Sequence, residues 1–214
     1  MLKGSRFARS LKSPFQWIAT VALFLIFGAI LVPPIFNTGS MGPRANWTLM
    51  DAHGIGLALF EYAQDHKGAY PTGNSSTDIF QKLIDGQYVS DPAIFWDEAL
   101  KVPGKIKATS TTLKPENICW DVTIPLNSTS SDYLPMVFST GYKINYVPNG
   151  SAIPLFSASE GRPPGIAVTY HDGSTSFSVD DGKPDGIITN FINAKFDAAG
   201  TKYQQLTPDG PLSP

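Results

Sequence analysis

Three aspartates in the carboxyl-terminal part of the chain are the best candidates for a ligand set. Asp180, Asp181 and Asp185 fall within "VDDGKPDG", residues 179–186, which is rich in glycine and proline. Carboxylates grouped with backbone carbonyls are the oxygen ligands that Ca²⁺ takes in proteins. Their spacing is not that of an EF-hand, and Asp-Gly pairs are also the usual residues of plain turns. The segment therefore predicts either a calcium site at these three aspartates or an ordinary turn.

The three histidines do not extend this set of ligands. His53, His66 and His171 are far apart in the sequence, and none has a neighbour at zinc-ligand spacing. We expect His53 and His66 to have structural roles on a helix. His171 precedes a turn dipeptide, and we expect it to be exposed.

No motif of a known catalytic mechanism is present. The sequence has no nucleophile elbow, P-loop, Rossmann fingerprint or H-E-x-x-H zinc motif. A hydrolase that uses the loop aspartates is the alternative, but the sequence reveals no acid–base partner for them. It therefore predicts a protein that is not an enzyme and that has no cofactor other than the calcium considered above.

Composition narrows the class of protein further. The 214 residues carry a formal net charge of -2 and 16% of them are charged, so the charge balance does not point to nucleic acid. The 19 glycines and 18 prolines suit a turn-rich domain that contains β-strands. The single cysteine, Cys119, excludes an intramolecular disulfide, and its apolar neighbours predict a buried, inert thiol.

The amino-terminal part has the pattern of a membrane anchor. Residues 15–36 carry no charge and would form a helix about 33 Å long, enough to cross a hydrocarbon core. The basic residues before it are Lys3, Arg6, Arg9 and Lys12. Because positive charge stays in the cytoplasm, we expect a single-pass protein of the cytoplasmic membrane with residues 1–14 inside and the rest outside. A signal peptide cleaved near the small residues at 37–42 is the alternative.

A flexible joint at residues 37–43 leads to a predicted α+β domain at residues 44–193. The domain begins with a helix near Pro43 or Arg44, whose apolar stripe recurs every three or four residues. The stripe consists of Ala52, Ile55, Leu59 and Tyr62, widened by Leu49, Phe60 and Ala63.

Three glycines mark features of this helix. We interpret Gly54 and Gly56 as points of close packing against a sheet rather than as a bend, because the stripe continues through them. Gly68 predicts the end of the helix.

A second short helix and a run of strands follow. Ser76 or Thr77 can cap this helix and Gly86 closes it. Its apolar residues are Ile79, Phe80, Leu83 and Ile84. The predicted strands cover residues 117–124, 134–140, 142–147, 165–171, 175–179 and, as a further candidate, 187–192.

Two further features concern the carboxyl-terminal half. Asp172-Gly173 suits the positive φ angles of a type I′ turn and predicts a hairpin. Residues 194–214 are polar and contain three prolines, so they are predicted to form a loosely held tail.

The order of these elements and one local segment resemble the pilin and pseudopilin family of type II secretion and type IV pilus systems. The segment is "IGLALFEYAQDHKGAYPT", residues 55–72, continued by "DIFQKLIDGQYV", residues 78–89. It is similar to the part of major pseudopilins in which the long helix ends in a Tyr-Pro-Thr turn and a second helix follows. The resemblance is specific over residues 50–90 and rests on element order beyond them.

The resemblance implies a pilin-like fold, in which the amphipathic helix packs on an antiparallel sheet. It implies a structural, membrane-anchored protein outside the cytoplasm, whose partners are other pilin-like or secretion-apparatus proteins. It also adds weight to the calcium site, because some major pseudopilins bind calcium in a loop of the C-terminal sheet. Within such a fold Tyr70 would cover the end of the helix stripe, and Pro71 would stop the helix.

The amino-terminal part departs from the family pattern. A prepilin has a glycine before its cleavage point and a glutamate as the fifth mature residue, whereas Gly4 here is followed by Ser-Arg and the first acidic residue is Asp51. Pro33-Pro34 also interrupts a helix that runs on into the globular domain in the family. We therefore do not expect prepilin-type processing or filament assembly by the usual route.

An anchored domain that captures a small ligand or a glycan is the alternative function. Its aromatic surface would come from Trp96, Trp120, Tyr142, Tyr146 and Tyr170. Solvent exposure of these rings would favour ligand binding, whereas burial would make them core residues.

Overall fold

A computed structural model describes residues 43–146, 156–158, 165–179 and 201–212. Within these ranges, α-helices precede an antiparallel β-sheet, so the predicted α+β class is confirmed. No helix among these residues is both long and apolar enough to cross a bilayer. The predicted membrane segment at 15–36 and the candidate strand at 187–192 lie outside the described residues.

The first helix, α1, spans Pro43–Asp65 and begins where the sequence predicts. Ala52, Ile55 and Leu59 of the predicted stripe are at most 1% exposed, whereas Tyr62 is half-buried. The helix therefore packs through the face that its periodicity defines.

The end of α1 also lies where the sequence predicts it. The backbone enters the left-handed region at Lys67, with φ of 59°, and at Gly68, with φ of 86°. The Gly68 N–H donates to the Ala63 carbonyl at 2.7 Å, which satisfies one of the free carbonyls of the last turn. Tyr70 follows and is 7% exposed, as the resemblance implies.

The second helix, α2, spans Ser76–Asp85. Its cap is Ser75, whose hydroxyl accepts a hydrogen bond from the Asp78 N–H at 3.1 Å, so the prediction of Ser76 or Thr77 was wrong by one or two residues. Ser76 is buried, and its hydroxyl donates to the Trp120 carbonyl at 2.8 Å. The predicted apolar residues of α2 are all buried, and Gly86 closes the helix.

Short 3-10 helices connect α2 to the sheet. They span Pro92–Phe95, Glu98–Leu100 and Pro115–Asn117. The chain between the second and the third, residues 101–114, has no regular structure. We call it the lysine loop, since it holds four lysines and no acidic residue.

In the described part of the chain the strands form two antiparallel sheets. They are β1 Trp120–Ile124, β2 Pro135–Ser139, β3 Tyr142–Ile144, β4 Phe156–Ala158, β5 Gly165–Tyr170, β6 Thr175–Val179, β7 Gln204–Thr207 and β8 Gly210–Pro211. The larger sheet has the order β6-β5-β2-β1-β7-β8, and β3 pairs with β4. Trp120 lies opposite Ser139, and Val122 lies opposite Leu206.

The larger sheet carries an apolar cluster on each face. Ala167 of β5 packs in the cluster that includes α1 and α2. Its neighbours Ile166 and Val168 belong to a second cluster, with Phe138 and Tyr142. Because successive residues of a strand point to opposite faces, the helices cover one face of the sheet and β3 covers the other.

Gly56 allows α1 to approach β5 closely. A Cβ atom at this position would lie 2.6 Å from Thr169 Cγ2, a distance that real Cβ atoms essentially never show. At Gly54 a Cβ atom would lie 2.9 Å from Ile94 Cδ1. The interpretation of both glycines as points of close packing is therefore confirmed, although Gly54 packs on a 3-10 helix rather than on the sheet.

The prediction of a loosely held tail was wrong for the part of residues 194–214 that is described. β7 pairs with β1 within the larger sheet, and Gln205 and Leu206 are 5% and 1% exposed. The polar composition did not indicate a strand, because Gln205 is buried through hydrogen bonds to partners that lie far away in the sequence.

The prediction of a type I′ turn was also wrong, although the hairpin of β5 and β6 is present. Gly173 has φ of 81°, but Asp172 has no positive φ angle. The Gly173 N–H donates to the Tyr170 carbonyl at 2.9 Å, which closes the turn around His171 and Asp172. One glycine in the left-handed region is sufficient for this longer turn.

Candidate functional site

The predicted calcium ligands Asp180, Asp181 and Asp185 lie outside the described residues, so that site stays a prediction. Among the residues that the structure describes, no three His, Cys, Asp or Glu side chains are grouped so that they could hold a metal ion. The candidate site is instead a cavity beside α1.

The cavity measures about 660 Å³ and lies between α1, the segment that follows α2, and the lysine loop. We call it the Asp51 cavity. The residues that give it chemical character are Trp47, Asp51, Tyr88, Asp91, Ile94 and Lys107. Aromatic rings, carboxylates and one ammonium group thus line a single space, and such groups can orient a polar organic ligand.

Asp51 has the most altered electrostatic environment in the cavity. Burial, together with the negative charges of Asp97 and Asp91, raises the pKa of Asp51 to about 7. Asp97 is 6% exposed; its Oδ1 accepts a hydrogen bond from the Ala99 N–H at 2.7 Å, whereas its Oδ2 has no hydrogen-bond partner. The negative charges of Asp97 and Asp91 disfavour a charged Asp51. A hydrogen-bond donor or a cation beside Asp51 would therefore be stabilised.

Sequence reasoning did not find this group of carboxylates. Asp51 comes from α1, while Asp91 and Asp97 are the N-caps of consecutive 3-10 helices. Only the tertiary fold brings them together, since no spacing rule connects position 51 to positions 91 and 97. The available signals were the Asp91-Pro92 turn and an acidic residue directly beside the buried stripe at Ala52.

The histidines are not brought together. His53 is exposed on α1 with Nδ1 3.2 Å from the Gly173 carbonyl oxygen, and the exposed His66 stacks on Tyr62 with ring centroids 3.9 Å apart. His171 is 8% exposed, so the prediction of an exposed His171 was wrong. Its Nε2 lies 3.2 Å from the Tyr70 hydroxyl, and burial lowers its pKa.

A buried polar network lies at the centre of the larger sheet. Asp121 of β1 is 1% exposed, and burial raises its pKa to about 7 while the hydrogen bond from Gln205 opposes that rise. Gln205 Nε2 donates to Asp121 Oδ2 at 2.6 Å and to the Tyr142 carbonyl at 2.7 Å. These groups do not line the Asp51 cavity, and their contacts are those of a structural connection between strands.

The aromatic residues considered for ligand binding are not exposed. Trp120 and Tyr142 are at most 1% exposed, and Trp96, Tyr146 and Tyr170 are half-buried. Their burial fits core packing better than an aromatic binding surface. The thiol of Cys119 is fully buried, and burial raises its pKa to about 11, as expected for an inert cysteine.

The side of α1 that faces away from the sheet carries large apolar residues. Trp47 is 64% exposed, Met50 is 62% exposed and Leu57 is 47% exposed. The exposed polar residue His53 lies between Met50 and Leu57 in the sequence, and the exposed Glu61 follows Leu57. This side of the helix is available for contacts outside the domain.

Comparisons with known protein families, with curated proteins and with solved structures found no match to this chain.

Proposed function

We propose that the chain is a membrane-anchored, pseudopilin-like structural protein that works outside the cytoplasm. It has no catalytic role in this proposal. It acts through protein–protein contacts linked to a type II secretion or pilus apparatus, with the exposed side of α1 as a contact surface. Its partners are other pilin-like or secretion-apparatus proteins.

One observation carries the proposal: α1 follows the predicted membrane segment closely and lies across an antiparallel sheet. The segment at 15–36 ends seven residues before Pro43, where α1 begins. Ile55 and Leu59 fix α1 on the sheet, and Gly56 allows the close approach to β5. The order of a membrane segment, an amphipathic helix and an antiparallel sheet is the order that the resemblance to the pilin family implies.

The end of α1 supports the same proposal. Tyr70 folds back on the helix, with its ring centroid 6.0 Å from that of Phe60 in an edge-to-face arrangement. Pro71 is buried beside it, and α2 follows after a short loop. This arrangement corresponds to the helix-ending turn that carries the resemblance to major pseudopilins.

Residues 15–36 contain no carboxylate, and this affects how the chain is expected to assemble. In the family, a glutamate in the membrane helix meets the free amino terminus of a neighbouring subunit. Here an amino terminus buried beside another copy of residues 15–36 would have no such partner, and an unpaired buried charge costs several kcal/mol. We therefore propose a monomer or small oligomer in the membrane that contacts an assembly made by other subunits.

Membrane topology and assembly test the proposal together. A reporter that is active only after export, fused after Pro214, should be active, and a reporter that is active only in the cytoplasm should be silent. Shearing of cells should leave the chain in the membrane fraction. Activity of the cytoplasmic reporter would contradict the topology, and recovery of the chain in sheared filaments would contradict the mode of assembly.

The Asp51 cavity favours ligand binding as a second candidate function. Trp47 offers an aromatic face on which a sugar ring can stack, and the carboxylates of Asp51 and Asp91 can accept hydrogen bonds from hydroxyl groups. A panel of monosaccharides and short glycans should then raise the melting temperature of the protein. Trp47→Ala should abolish the increase, whereas Ile106→Ala should keep it, because Ile106 is exposed but does not line the cavity.

A further inference from the structure

The first turns of α1 present an apolar surface to solvent. Trp47 and Met50 are 64% and 62% exposed. Residues three apart on a helix are neighbours, so the two side chains form one surface. Large exposed apolar side chains that adjoin each other favour contact with another apolar phase or molecule.

A basic segment lies beside this surface. Lys107 of the lysine loop lines the same cavity as Trp47 and is exposed. We call Trp47, Met50 and Lys107 the amino-terminal patch. It combines an indole ring, a thioether side chain and an ammonium group, which is the composition of a surface that enters the headgroup layer of a bilayer.

The position of the patch in the chain restricts what can cover it. Residues 37–42 separate the predicted membrane segment from Pro43, and an extended chain spans at most about 3.5 Å per residue. Pro43 is therefore at most about 25 Å from Phe36, and Trp47 is about 6 Å further along α1. A domain tethered this closely keeps the patch within reach of the bilayer at all times.

We propose that the amino-terminal patch docks on the outer lipid surface of the membrane that anchors the chain. Trp47 and Met50 enter the interfacial layer, where tryptophan is favoured, and Lys107 contacts anionic headgroups. This inference rests on the membrane anchoring in the proposed function. Asp91 also lines the cavity and is repelled by anionic lipid, so the apolar residues carry the docking and Lys107 sets its preference for anionic bilayers.

Depth measurements on the full chain in vesicles test the docking. Met50→Cys would be labelled with a polarity-sensitive fluorophore, since Cys119 is fully buried and protected from the reagent. Gln64→Cys is the matched control, because Gln64 is exposed on the same side of α1, about 21 Å further along the axis. Vesicles would contain phosphatidylcholine alone or phosphatidylcholine with phosphatidylglycerol.

The expected result is specific to position 50. The label there should shift its emission to the blue, lose most of its quenching by aqueous iodide, and be quenched by spin-labelled lipid. The label at position 64 should remain quenched by iodide. Lys107→Glu should reduce lipid quenching at position 50 in the anionic vesicles and leave it unchanged in phosphatidylcholine alone.

Four other results would overturn the proposal, and they are distinguishable. Equal iodide quenching at positions 50 and 64 in chains that resist carbonate extraction would exclude docking but leave the anchor intact. Protection from iodide without quenching by lipid would show that a second copy covers the patch. Lipid quenching at both positions would place the whole helix on the bilayer instead. Release of the chain by carbonate would exclude the anchor itself, and with it both the docking and the proposed function.

Discussion

Gln205 holds the buried carboxylate of Asp121 through a hydrogen bond of 2.6 Å from its side-chain amide. The same nitrogen donates to the Tyr142 carbonyl, and Gln205 Oε1 accepts from the Ile144 N–H at 3.1 Å. A single side chain of β7 thus connects β1 with β3. Asp121 Oδ1 has no hydrogen-bond partner, so the contacts of Gln205 are what connects this buried carboxyl to the neighbouring strands.

This network should make the stability of the fold dependent on pH. The pKa of Asp121 is about 7 in the folded state, because of burial, against an ordinary value of 3.8. Between these values the folded protein holds a proton that the unfolded chain has released, so the contribution to stability falls as pH rises from about 4 to about 7. Asp121→Asn cannot titrate and should gain about 2–3 kcal/mol relative to wild type between pH 5 and pH 8.

Urea unfolding at the two pH values measures this change. Asp51 also has a raised pKa, so Asp121→Asn must be compared with wild type at each pH rather than across pH alone. If the difference in unfolding free energy between Asp121→Asn and wild type is the same at pH 5 and at pH 8, Asp121 does not titrate between these pH values.

His171 should produce the opposite dependence on pH. Burial lowers its pKa in the folded state from the ordinary 6.5. Just below pH 6.5 the unfolded chain then binds a proton that the folded protein does not, so stability falls as pH is lowered through this range. His171→Gln, which cannot be protonated there, should reduce that acid-side loss, as measured by unfolding free energies at pH 5 and pH 7. An unchanged loss would assign it to other groups.

Alanine substitutions at two leucines of α1 distinguish the effect of burial on stability from the effect of helix propensity. Leu59 is 1% exposed and packs in the core, whereas Leu57 is 47% exposed on the same helix. Leu59→Ala should lower the free energy of unfolding by about 2–5 kcal/mol, because it removes buried methyl groups and leaves a cavity. Leu57→Ala should change it by less than about 1 kcal/mol. Denaturant unfolding of both variants provides the comparison, and equal effects would show that the stripe is misassigned.

Local patterns predicted the elements whose partners are close in the sequence. The stripe around Ile55 and Leu59 has the 3.6-residue period of a helix, and Gly68 ends it with a conformation that glycine favours. Burial of Tyr70 followed from the turn in which it lies. These features depend on backbone geometry and on neighbours within a few turns.

Strand β7 was not predicted, because its burial depends on partners that are distant in the sequence. Gln205 is polar, and only its contacts with Asp121 and Tyr142 make its burial favourable. One local signal was present, since Pro208-Asp209-Gly210 follows β7 and the Thr207–Gly210 pair closes a hairpin around it. The grouping of Asp51 with Asp91 and Asp97 gave no comparable signal, because helix periodicity contains no information about residues 91 and 97.

The close approach of Gly56 to Thr169 gives a prediction that reverses a general rule. Replacement of glycine by alanine inside a helix usually stabilises it by about 1 kcal/mol. Here the new Cβ would lie 2.6 Å from Thr169 Cγ2, and Thr169 is fully buried and stiff because it branches at Cβ. Gly56→Ala should therefore lower the free energy of unfolding by about 1–3 kcal/mol, as overpacking does.

A double-mutant cycle tests whether the lower stability of Gly56→Ala comes from the contact between the new Cβ and Thr169 Cγ2. Thr169→Ser removes Cγ2 and retains the hydroxyl, so the double variant should be at least about 1 kcal/mol more stable than the sum of the single effects predicts. Gly54→Ala is the control, because its Cβ would meet only Ile94 Cδ1, the end of a side chain that borders the Asp51 cavity and can move. It should cost less than Gly56→Ala. Additive effects of Gly56→Ala and Thr169→Ser would mean that α1 can shift on the sheet, and that Gly56 does not fix its distance from β5.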